Sequence, residues 1–60
     1  MEFAKIREYA RALYDAHGDK AEAEAAQKMR ECEEAGHTDQ AEDWKAIRES
    51  IRSIRGPNQG

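Results

Sequence analysis

WKAIRESIRSI, residues 44–54, spaces its large apolar side chains by three, four and three residues: Trp44, Ile47, Ile51 and Ile54. This spacing puts all four on one face of an α-helix. So large an apolar face has to be buried, either against the rest of the polypeptide or against another molecule. The stretch therefore predicts a helical fold.

Two more helices are predicted before this stretch. Residues 2–16 repeat the same spacing in Phe3, Ile6, Ala10 and Leu13. Residues 20–35 consist mostly of strong helix formers, with a thin apolar face of alanines, Met29 and Cys32. The third helix covers residues 39–55. Glycines at 18, 36 and 56 mark the three helix ends, and Pro57 prevents continuation.

Helix starts are predicted from acidic and hydroxyl residues. Asp19 precedes Glu22 by three residues, and Asp39 precedes Glu42 by the same distance. Both pairs approximate a capping box, in which the first side chain accepts a hydrogen bond from a free backbone N–H. We expect Asp19 to cap the second helix and Thr38 or Asp39 to cap the third.

The short connections predict an all-α fold of one domain, residues 1–56, with a flexible tail at 57–60. One arrangement is an up-down-up three-helix bundle. The other is a helical hairpin whose third helix docks on a second chain. Sixty residues supply a core worth only about 3–5 kcal/mol, and one cysteine forms no internal disulfide. Oligomerisation is therefore expected as a supplement.

The composition, with 38% charged residues, also suits a disordered chain. Regular apolar periodicity and the helix-end signals argue against disorder. The N-terminus has no basic-then-apolar leader, no apolar run reaches membrane-span length, and the one cysteine suits a reducing compartment. We therefore expect a cytoplasmic protein that has no contact with the membrane.

The segment from Gly36 to Pro57, with Ala41, Trp44, Ile51 and Pro57, resembles the second half of a tetratricopeptide repeat. The resemblance covers about a third of the chain. The first-half pattern of the repeat and its ~34-residue period are missing, so no peptide-binding residue is carried over.

Charge is segregated along the chain. Residues 19–44 contain nine acidic residues and three basic ones. Residues 45–60 contain a single acid and four bases, which we call the basic stripe: Lys45, Arg48, Arg52 and Arg55. The favoured interpretation is that these cations offset the dipole of their own helix and face the acidic second helix. The alternatives are a contact with nucleic-acid phosphates or with an acidic partner protein.

Candidate catalytic and metal-binding residues are few. His17 and His37 lie at opposite ends of the second helix, about 24 Å apart at 1.5 Å per residue, which is too far for one zinc ion. Cys32 falls among alanines and Met29, and is expected to be a small buried apolar group. The sequence therefore predicts no catalytic residue, no cofactor and no metal site, and the protein is not expected to be an enzyme.

The aromatic residues are better candidates for function, because aromatic side chains dominate interface energetics. Trp44 is expected mainly in the core. Tyr9 and Tyr14 cannot both share the main face of the first helix, so at least one is expected at its boundary. The sequence thus favours a protein–protein interaction or self-association module that uses Tyr9, Tyr14 and the basic stripe. The alternative function is that of a nucleic-acid accessory factor using the basic stripe.

Overall fold

A computed structural model describes residues 2–56, so the predicted flexible tail at 57–60 lies outside the described residues. Three helices follow one another: α1 is Phe3–His17, α2 is Lys20–Glu34 and α3 is Thr38–Arg55. Each helix packs on the other two. The predicted all-α three-helix bundle is confirmed, and α3 packs on α1 and α2 of its own chain.

Glycines end the first two helices as predicted. Gly18 has a φ of 63° and Gly36 a φ of 82°. In this left-handed region a side chain would crowd the backbone, so glycine is the residue that reverses the chain at least cost. The two short turns that result bring consecutive helices back alongside each other.

The predicted N-cap of α2 falls on the right residue, Asp19, but without the expected side-chain hydrogen bond, and the predicted N-cap of α3 is wrong. Asp19 has helical backbone angles and makes no capping hydrogen bond through its side chain. A cap residue normally needs an extended backbone to bring its oxygen over the helix end. The residue before α3 is His37, Thr38 is already helical, and no side chain caps that end either. Backbone carbonyls of Gly18 and His37 accept bonds from the first turns instead.

The core lies where the three helices meet. Ile47 and Ile51 of α3 are the large side chains that are fully buried, and they pack against alanines of the other helices: Ala10, Ala21 and Ala25. Alanines let helix backbones approach closely but bury little area each. Five larger residues surround this centre and stay half-buried: Ile6, Leu13, Tyr14, Trp44 and Ile54.

Two predicted core residues lie elsewhere. Phe3, the first residue of α1, is 68% exposed and is not part of the core cluster. Met29 is half-buried and is not part of the core cluster. The fold therefore buries fewer large side chains than the helical periodicity predicts.

Candidate functional site

The basic stripe lies against the start of α2. The Arg55 guanidinium donates a hydrogen bond of 2.7 Å to the Glu22 carboxylate. The other Glu22 oxygen is 3.5 Å from Arg52 Nε and 3.8 Å from Arg48 Nε. A carboxylate oxygen of Asp19 lies 3.8 Å from Arg55 Nε. The favoured interpretation, that the acidic second helix faces the stripe, is confirmed for these three arginines.

The antiparallel packing of α2 and α3 explains this cluster. It brings the positive N-terminal end of α2, with its acidic residues, beside the negative C-terminal end of α3, with its arginines. Glu22 is only 21% exposed, so its charge is screened less than that of a surface pair. Lys45 is exposed. The arginines of the stripe thus connect two helices rather than projecting as a free cationic face.

The aromatic residues divide between core and surface. The rings of Tyr9 and Trp44 meet edge to face, with centroids 5.7 Å apart and planes at 83°. Tyr9 remains 45% exposed, which confirms that one tyrosine lies at the boundary. Tyr14 is half-buried against the core. Tyr14 and the arginines of the basic stripe thus already pack within the chain, while Tyr9 and Lys45 remain exposed.

An open groove lies between α1 and α3, which we call the α1/α3 groove. It has a volume of about 1100 Å³. Its apolar lining comes from both helices: Phe3, Ile6, Ala12, Ala46 and Ile54. Two serines of α3 widen it, and five charged residues border it: Arg7, Glu8, Arg11, Asp15 and Glu49.

Sequence reasoning missed this groove, although a signal for it exists. Ala46, Ser50 and Ser53 give α3 a flank of small side chains next to its isoleucine face. A neighbouring helix that packs on the isoleucines leaves such a flank uncovered. Phe3 is then exposed at one end of the space that the small residues leave.

The other candidate residues have local partners. His17 Nδ1 is 3.2 Å from a Glu24 carboxylate oxygen. The Cys32 thiol is half-buried and donates a weak hydrogen bond of 3.7 Å to the Gln40 side-chain oxygen. Within residues 2–56 no three histidine, cysteine or acidic side chains are grouped as metal ligands. Over the same residues, none of the helices has the length and apolar character needed to cross a membrane.

Comparison with protein-family models, with curated proteins and with solved structures finds no match to this chain.

Proposed function

We propose that the protein is a non-catalytic, cytoplasmic interaction module whose α1/α3 groove docks an amphipathic helix. The observation that carries this proposal is Phe3, a large aromatic side chain 68% exposed at the edge of an open apolar groove. Exposed apolar surface bordered by charges is typical of protein-binding sites.

The dimensions of the groove support a helical ligand. It follows α1 from Phe3 to Asp15, which is ~18 Å at 1.5 Å per residue, or about three turns. An amphipathic helix presents anchors every three or four residues along such a length. The apolar floor accepts those anchors, and the charged border selects among partners of different charge pattern.

The nucleic-acid function has less support. Phosphate contact needs guanidinium groups with free donors, and a chain whose charge attracts a polyanion. Arg48, Arg52 and Arg55 lie within 4 Å of Glu22, and the chain has a net charge of −3. We therefore favour a protein partner.

A matched pair of lysine substitutions tests the proposal in extracts of cells that express the chain naturally. Ser53→Lys places a long charged side chain in the groove, and Ala23→Lys places the same side chain on α2. Both positions are exposed, so both variants are expected to retain the helical circular dichroism of the wild type. We expect the wild type and Ala23→Lys to elute in a complex well above 6.8 kDa, and Ser53→Lys to elute near it.

Two results would refute the proposed function. One is a wild-type chain that elutes at its own mass in the extract. The other is a complex that Ser53→Lys and Ala23→Lys leave equally intact, because the partner would then bind away from the groove.

A further inference from the structure

We propose that the groove takes α1 of a second copy of this chain, in a two-fold dimer that sets Phe3 against Ile54 and Arg7 against Glu49 of the other copy. This inference depends on the proposed function, because it names the occupant of the same groove. In a two-fold dimer each copy supplies the same surface, so α1 is both the ligand and one wall of the site.

The direction of the helices determines which residues meet. Each short turn reverses the chain, so α1 and α3 run the same way and both line the groove. A two-fold axis across the groove places the second α1 antiparallel to them. Phe3 of the second copy then lies at the end of the groove that Ile54 lines. Phe3 of one copy and Ile54 of the other, which are each incompletely buried in their own chain, are then buried against each other.

One pair of charges at the groove is complementary in this arrangement. The α1 border carries two cations, Arg7 and Arg11, and two anions, Glu8 and Asp15, whereas α3 contributes the anion Glu49. Asp15 already pairs with Arg11 at 3.6 Å in its own chain. Neither Arg7 nor Glu49 has an ion-pair partner within residues 2–56, and both are exposed. With Phe3 of the second copy near Ile54, its Arg7 lies one helical turn further along, beside Glu49.

The area requirement is modest for this monomer. A standard interface covers ~800 Å² per partner, which is less than a fifth of the 4497 Å² that the chain exposes. The outer faces of two of the three helices border the groove. A second copy also supplies apolar cover, because the fully buried large side chains within residues 2–56 are limited to Ile47 and Ile51. Dimerisation stabilises such a fold by mass action.

Reversal of the charges of Arg7 and Glu49, singly and together, tests the dimer in the purified chain. Sedimentation velocity from micromolar to millimolar concentration is expected to show a monomer–dimer equilibrium for the wild type. Arg7→Glu alone and Glu49→Arg alone are each expected to weaken association by roughly tenfold, because an attraction at the border becomes a repulsion. The double variant R7E/E49R restores the attraction with opposite signs and is expected to dimerise like the wild type.

A control and two adverse outcomes complete the test. Lys28→Glu reverses a charge on the exposed side of α2 and is expected to leave association unchanged. A wild type that stays monomeric at millimolar concentration refutes the second copy but not the proposed function, if Ser53→Lys still removes the chain from its complex in extracts. A dimer that none of the groove variants weakens also refutes the second copy as the occupant of the groove, because self-association then uses another surface, and the extract experiment with Ser53→Lys decides the proposed function separately.

Discussion

Ile51→Ala is expected to unfold most of the protein at room temperature. Ile51 is fully buried at the centre of the bundle, where α3 meets alanines of α1 and α2. Removing a buried isoleucine side chain to alanine costs about 2–5 kcal/mol, because the apolar transfer energy is lost and the cavity collapses only in part. A core of this size supplies about 3–5 kcal/mol in total. The cost of Ile51→Ala is therefore comparable to the entire free energy of unfolding.

Urea unfolding followed by far-ultraviolet circular dichroism measures this effect. Ile54→Ala is the matched control, since it makes the same chemical change on the same helix at a half-buried position. Both substitutions raise helix propensity equally, so their difference isolates burial. We expect Ile54→Ala to retain a cooperative transition with a smaller loss of stability. Equal losses in the two variants would show that Ile51 is not the centre of the core.

Glu22→Gln is expected to lower the free energy of unfolding by about 1–3 kcal/mol, which is large for a polar change. The substitution keeps the shape of the side chain but removes the charge that three guanidiniums face. A hydrogen bond to a charged partner contributes about 1.5–3 kcal/mol, whereas an exposed ion pair contributes less than about 1 kcal/mol. Glu22 is 21% exposed and lies between these two cases.

Glu24→Gln is the control for this prediction. It lies two residues along the same helix, is 42% exposed and faces the half-exposed His17 imidazole. We expect its effect to stay below about 1 kcal/mol. The difference between the two variants in lost free energy of unfolding is expected to decrease as salt is added, since ions screen the cluster. Equal losses at low salt would mean that the arginine cluster does not hold α2 to α3.

Much of the fold was predictable from local signals. Spacings of three and four identify each helix, and the positive φ values of Gly18 and Gly36 follow from where the apolar patterns stop. Burial of Ile47 and Ile51 follows from the same periodicity. These features depend on residues close together in the chain, and a sequence displays such relations directly.

The incorrect predictions involve competition between distant residues. Asp19 and Glu22 have the spacing of a helix cap, but the arginines of α3 offer their carboxylates charged partners that no local pattern reveals. Phe3 continues the apolar spacing of α1, yet it lies 68% exposed at the α1/α3 groove rather than in the core. The groove was missed for the same reason, because it exists only once α1 lies beside the small side chains of α3.

A photo-reactive benzoylphenylalanine in place of Phe3 tests whether the α1/α3 groove is the binding surface. The same group in place of Lys28 is the control. The substituted chains are produced in cells of the natural host that are engineered to incorporate the photo-reactive residue, and the adducts formed on irradiation are identified by mass spectrometry. We expect an efficient adduct from position 3, joined to residues 46–54 of a second copy, and none from position 28. Equal adducts from both positions, or none from position 3, would contradict the claim that the α1/α3 groove is the binding surface.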